Sequence, residues 1–234
     1  MIEELKWDTG FFGRKIGRLK LPISKRALSR GLKDAQKKGF KYLLCRLPAR
    51  NFKTIALLEG AGFYLTDIGL ILEMDVGAPA SSPISPGPVA VATEKDLPAL
   101  KKLSERGMFR PSRFYHDPFF KRFEAERLFK AWVENSVRGL TADAVLWMED
   151  VGFVACKRGP AGVGELPLIG VVRNRRGKGF GGALIRAAVE WFGQNGMKKV
   201  RTRTQLINAG ALNFYEKIGF RAKGADAVFG RVIK

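Results

Sequence analysis

The chain has 234 residues, 46% hydrophobic and 27% charged, a balance that excludes disordered, collagen-like and disulfide-scaffold classes. Forty-two Lys and Arg against 22 Asp and Glu leave a net charge of +20, which invites polyanionic partners: nucleic acid, phosphorylated small molecules or an acidic membrane surface. The longest apolar runs are far too short to span a bilayer, and MIEELKWDTG lacks the basic start and apolar core of a secretion signal.

A cytoplasmic location is therefore expected, with Cys45 and Cys156 as buried free thiols inside apolar strand-like segments. Within the front piece, residues 37–63 read as a turn, a strand, a loop asparagine and a helix ending at Gly62-Phe63. GAPASSPISPGP, residues 77–88, holds four prolines, three serines and no charge, and reads as a semi-rigid linker. It divides the chain into pieces 1–76 and 89–234. Fifteen cations against eight acids up to residue 88, and 27 against 14 beyond it, share the positive excess as +7 and +13.

Behind the linker, Thr93 and Asp96 predict a helix cap before LPALKKLSERG. Asp117-Pro118 predicts the N-cap and first turn of a second helix, FFKRFEAERLFKAWVENSV. AVLWM and GFVACK flank a Glu149-Asp150 turn as a hairpin, and VGELPLIGVV is a longer strand, nearly continuous in apolar residues. FGGALIRAAVEWFGQNG is an amphipathic helix closed by Gly196. KKVRTRTQLI follows as a strand, NAGALNFYEKIGF as a short helix closed by Gly219, and RAKGADAVFGRVIK as a last strand. The alternation makes an α/β fold.

Residues 37–63 also repeat in residues 194–220 at a gapless offset of 157. Gly39/Gly196, Lys41/Lys198, Arg46/Arg203, Asn51/Asn208, Glu59/Glu216, Gly62/Gly219 and Phe63/Phe220 coincide. The front copy has no glycine-rich segment ahead of it, and Leu58 stands where the back copy has Tyr215. A degenerate partial copy that packs without chemistry is expected.

RRGKGFGGALI sets four glycines among three cations at the start of a helix, a pattern suited to a phosphate cradle. Gly177, Gly179 and Gly182 satisfy the dinucleotide fingerprint, but the acidic ribose-binding residue expected about twenty positions on falls in a basic strand. A triphosphate loop needs Ser or Thr after Gly-Lys, and none stands there. A coenzyme A cradle is the reading left.

At this point VVRNRRGKGFGGALI resembles the acetyl-CoA motif of the GNAT N-acetyltransferase superfamily, and NAGALNFYEKIGF resembles its second motif. The resemblance implies a GNAT fold, a mixed central sheet flanked by helices, here preceded by a truncated GNAT-like domain. It implies acetyl-CoA as acetyl donor, its pyrophosphate cradled by Arg176, Gly177, Lys178, Gly179, Phe180, Gly181 and Gly182. Pantetheine would lie along the main chain of Ile169, Gly170 and Val171 and bond Asn208, a residue that also reads as a helix N-cap. Tyr215 is implied as the general acid for the departing thiolate. Glu165, His116 or an ordered water are the alternatives for the base. No metal is expected.

LKWDTGFFGRKIGRL and FRPSRFYHDPFF further resemble dTDP-fucosamine acetyltransferases, enzymes that acetylate a nucleotide-linked 4-amino sugar. Arg110, Arg113, Phe114, Tyr115 and His116 would then line the acceptor site, arginine for a diphosphate and the rings for a pyrimidine. Acetylation of a protein N-terminus, a lysine or another small amine is the alternative within the class, and a basic nucleic-acid-binding module the alternative outside it. No zinc-ligand spacing or RNA motif supports that module. A homodimer is compatible with either.

Overall fold

The computed structural model describes residues 2–77 and 87–234, so most of the proline- and serine-rich linker lies outside the described residues. In chain order the front half runs β1 (Ile2–Glu4), α1 (Lys6–Phe12), β2 (Ile16–Leu19), α2 (Lys25–Lys37), β3 (Tyr42–Pro48), α3 (Phe52–Gly60) and β4 (Tyr64–Asp75). The back half runs β5 (Ala90–Val91), α4 (Leu97–Glu105), α5 (Arg122–Val137), β6 (Ala144–Met148), β7 (Gly152–Arg158), β8 (Val163–Val171), α6 (Phe180–Gln194), β9 (Lys199–Gln205), α7 (Ala209–Lys217) and β10 (Arg221–Val232). The fold is α/β, a large mixed sheet with helices on both faces.

The repeat is structural as well as sequential. Adding 157 to the bounds of β3, α3 and β4 gives the bounds of β9, α7 and β10. Asn51 and Asn208 cap their helices alike, each accepting at 3.3 Å from the backbone N–H three residues on. Gly39 and Gly196 hold φ of 74° and 75°, the left-handed turn that glycine adopts without strain.

The sheet does not keep the halves apart. Its order is β1-β2-β3-β10-β4-β9-β8-β7-β6-β5. Each copy thus sends its last strand into the other: β10 lies between β3 and β4, and β4 lies between β10 and β9, all antiparallel. The tail was legible as a strand, but its partners were not, because strand pairing at long sequence separation leaves no local pattern.

Alternation along the strands sorts the two faces. On β7, Val154 and Cys156 point into the core shared with α6 and α7, whereas Phe153 and Ala155 point into the core shared with α4 and α5. On β3, Leu43, Cys45 and Leu47 meet α2 and α3, whereas Tyr42 and Leu44 meet α5. Helices α2, α3, α6 and α7 therefore cover one face, and α4 and α5 the other.

One helix start departs from the sequence reading. The second helix of the back half begins at Arg122 behind Lys121, where Glu124 completes a capping box, and Asp117 does not cap it. Asp117 is buried and accepts from Tyr64 Oη at 2.8 Å, from the Phe119 N–H at 3.0 Å and, by a shorter bond, from Tyr42 Oη. Both tyrosines belong to the front half. A buried carboxylate needs such donors more than a solvated helix end needs a cap. Arg14 adds a second tie between the halves, bonding Glu124 in bidentate fashion at 2.6 and 2.8 Å.

Candidate active site

The site begins where two strands part. β8 and β9 run parallel and pair from Val163/Lys199 to Leu166/Thr202, and no further. Beyond that level Leu168–Val171 keep only β7 as neighbour, and Arg203–Gln205 keep only β4. Pro167 stands at the parting with no N–H to extend the ladder, and the β7/β8 register shifts there. One edge of Leu168–Val171 therefore presents main-chain groups that no strand satisfies. Arg176 takes one of them, its Nε donating to the Val171 carbonyl at 2.9 Å.

The chain then turns into α6. Gly177 and Gly179 have φ of 74° and 83°, and Gly179 is an N-cap with no side chain to satisfy the first turn. The N–H groups of Phe180, Gly181 and Gly182 are left facing outward at the positive end of a 15-residue helix. Arg173, Arg175, Arg176 and Lys178 surround them, all exposed. A Cβ on Gly181 would stand 3.1 Å from the Phe214 ring, so this glycine sets how closely α7 approaches α6. Gly170 serves a similar end: a side chain there would overlap Met108 in the opposite core.

These features fit a pantetheine diphosphate. A free strand edge offers peptide-like hydrogen bonding, and an uncapped helix start ringed by cations offers an anion seat. Asn208 already uses its side-chain oxygen as the cap of α7, which leaves its amide N–H groups to donate elsewhere.

Tyr215 sits on α7, 3% exposed, its hydroxyl near enough to Thr202, the last residue of β9 that still faces β8, for that side chain to act on its proton. Burial pushes its pKa up to about 12, with Thr202 pulling the other way, so it holds its proton at neutral pH. Glu165 lies one residue before the end of the same ladder. A Cβ on its neighbour Gly164 would run into Phe192 of α6, so Glu165 points to the opposite face, that of α4 and α5. In register it meets Arg201, whose guanidinium is tied to Glu73 at 2.7 Å. Tyr215 and Glu165 thus flank the parting at one level from opposite faces.

The 110–116 loop on the α5 face is less open than its sequence suggests. Phe114 is 4% exposed, packed against Phe12, Phe120 and Trp132, which corrects its reading as a stacking platform. Arg113 is nearly buried, stacked on Phe114 with its Nη1 3.9 Å from Asp117. Tyr115 lies parallel to the Phe129 ring, half-buried. Arg110 and His116 remain exposed, the imidazole Nε2 standing 3.1 Å from the Arg110 carbonyl. Among the described residues no group of three His, Cys, Asp or Glu is placed to hold a metal. The free thiols of Cys45 and Cys156 are buried, and burial pushes them up to about 11 and about 12.

The model of the Acetyltransferase (GNAT) family matches residues 107–220, from the loop ahead of α5 to the end of the α7 motif. Residues 107–220 are a GNAT acetyltransferase domain. The GNAT domain makes the chain an acyltransferase, and its relatives carry the match further. The dTDP-fucosamine acetyltransferase of Escherichia coli O6:H1 is 28% identical over 223 residues, covering 93% of this chain and 92% of that relative. A GCN5-related N-acetyltransferase from Sphaerobacter thermophilus superposes with TM-score 0.66 at 16% identity, over 100% of this chain and 76% of that one. A tandem GNAT protein from the clavulanic acid biosynthesis pathway gives 0.65 at 13% identity, over 95% and 76%. At such identities the structures establish the GNAT fold alone.

Thr202 and Met108 left no signal in the sequence, while Asp117 showed only as a helix cap and Arg46 and Arg203 only as a coincidence within the repeat.

Proposed function

We propose that the chain transfers an acetyl group from acetyl-CoA to the amino group of a nucleotide-linked amino sugar of the dTDP-4-amino-4,6-dideoxyhexose type. The observation that carries the acceptor class is the extent of the likeness to the E. coli enzyme, which runs through the front half and the linker as well as the GNAT domain. That domain alone is common to acetyltransferases of many amines. The front half is what narrows the choice.

Acetyl-CoA supplies a thioester, already activated for attack by an amine. The main chain of Ile169–Val171 orients it and offers an N–H to the acetyl oxygen, while residues 176–182 hold the diphosphate. Tyr215, kept neutral by burial, holds at its Oη the proton that the leaving sulfur needs. Glu165, on the α4 and α5 face of the same ladder, takes the proton from the incoming ammonium through water in this reading. The 1–76 piece and the 89–234 piece then act as a supporting partial copy and a catalytic domain.

A coenzyme A release assay against dTDP- and UDP-linked amino sugars, with a polyamine and a peptide as controls, tests the reading. Turnover confined to nucleotide-linked amines is expected. Faster turnover of the peptide or polyamine defeats it.

A further inference from the structure

The repeat pairs two arginines whose surroundings differ. Arg203 on β9 and Arg46 on β3 are equivalent under the 157-residue shift, and both stand on the face covered by α5. Arg203 is fully met. Its Nε lies 2.9 and 3.0 Å from the two oxygens of Asp226, its Nη2 donates to Asp226 at 2.5 Å, and its Nη1 donates to Asp67 at 2.9 Å. Gly69 makes room for this guanidinium, because any Cβ there would overlap it.

Shifted back by 157, Asp226 becomes Gly69. Shifted forward by 157, Asp67 becomes Gly224. In the repeat's frame, the two positions that hold carboxylates around Arg203 hold glycines around Arg46. Its one ion pair among the described residues is a 3.9 Å approach to Asp226 Oδ2, an oxygen that Arg203 already engages. The side chain is 55% exposed. Burial of the inner part and the nearby charge of Arg203 lower its pKa, and Arg113 weighs the same way, with Asp226 and Asp67 opposing. Three cations are thus held close together on one face, and the outermost lacks the carboxylates its position implies.

We propose that Arg46 is the residue with which the front half reads the acceptor, by binding the diphosphate that joins sugar to nucleoside; the inference rests on the acceptor class proposed above. A guanidinium matches two phosphate oxygens at once and stays charged when partly desolvated. Arg46 meets Asp226 on β10, two strands from β9, which is roughly 10 Å across the sheet at the usual strand spacing. An acceptor whose amine enters the parting of β8 and β9 would extend across this distance to bring its diphosphate over this cation.

The test measures binding of dTDP and of inorganic pyrophosphate by calorimetry, with coenzyme A saturating so that the glycine-rich loop is filled. Wild type, Arg46→Gln, Arg46→Lys and Gly224→Asp are compared. A Cβ at Gly224 meets nothing within 4 Å, so Gly224→Asp restores the missing carboxylate without steric cost. Loss of a charged hydrogen bond predicts that Arg46→Gln and Gly224→Asp each weaken both probes about ten- to hundredfold. Each should raise the KM for the nucleotide-linked acceptor to match, with kcat and the KM for acetyl-CoA held, and Arg46→Lys should recover part of the loss.

Equal binding of dTDP by wild type and Arg46→Gln overturns the proposal and leaves the acceptor class standing. Failure of wild type to bind either probe overturns it whatever the acceptor. Turnover of nucleotide-free amines alone, with pyrophosphate binding still lost in Arg46→Gln, upholds the anion site and removes the acceptor class. Unfolding midpoints near that of wild type in both variants keep a folding defect from imitating the result.

Discussion

Leu58 and Tyr215 occupy one position in two copies of one unit, and so do Arg46 and Arg203. In the back copy the tyrosine is buried and holds its proton at neutral pH, and the arginine is locked by two aspartates. In the front copy the tyrosine is a leucine, fully buried, and the arginine is released from its acids. On the proposed reading, the back copy keeps groups for bond making, and the front copy keeps a charge for recognition. A duplicated unit can lose its chemistry and still retain one reactive feature, provided the sheet carries that feature to the shared site.

Substitutions at paired positions test the contrast. The largest effect belongs to Tyr215→Phe, which should lower kcat by about 10²- to 10⁴-fold with the KM for acetyl-CoA nearly constant, while Leu58→Met in the front copy leaves both unchanged. Steady-state kinetics on both variants decides it, and an unchanged kcat in Tyr215→Phe removes the acid assignment.

Next comes stability. Asp226→Ala strips Arg203 of its bidentate partner and should cost about 2–4 kcal/mol in denaturant unfolding, near the lower range for broken buried pairs because Arg203 keeps Asp67 and some solvent. Arg46→Ala, with a single long contact on a half-exposed side chain, should cost less than about 1 kcal/mol.

The two caps come third. Asn51→Ala and Asn208→Ala should each lose about 1 kcal/mol, and only Asn208→Ala should also raise the KM for acetyl-CoA. An equal rise in both would erase the functional difference between the copies.

The last effect shows only at alkaline pH. Burial holds the Tyr215 phenol at about 12, above its ordinary value of about 10. A raised folded pKa contributes stability that is complete below pH 10 and lost as the pH climbs towards 12. Tyr215→Phe should flatten that part of the stability profile, read from unfolding midpoints between pH 9 and 12.

Much of this was legible in the sequence. The glycine-rich cradle, the strand before it and the asparagine-capped helix after it each obey a local rule of spacing or backbone freedom. The repeat was legible too, because gapless register survives without conserved chemistry. Phe114 misled, since an aromatic in a basic loop shows the same pattern whether it points outward or, as here, into Phe12 and Trp132. Asp117 misled for a related reason: a helix-capping pattern also suits a carboxylate that binds tyrosines more than fifty residues away. The acids around Arg203 and the glycines opposite Arg46 required the strand exchange, which depends on pairings no window of sequence contains.

That exchange also bears on how the chain is made. β4 finds both its neighbours, β9 and β10, more than 120 residues further along. During synthesis the front half emerges first, yet its last strand has no edge to join until β9 has emerged, and no second neighbour until β10 follows. Folding must then close a contact of very high sequence separation late, a slow class of event. In that interval β4 is an unpaired twelve-residue strand, and of all parts of this protein it is the one most in need of protection before the sheet is complete.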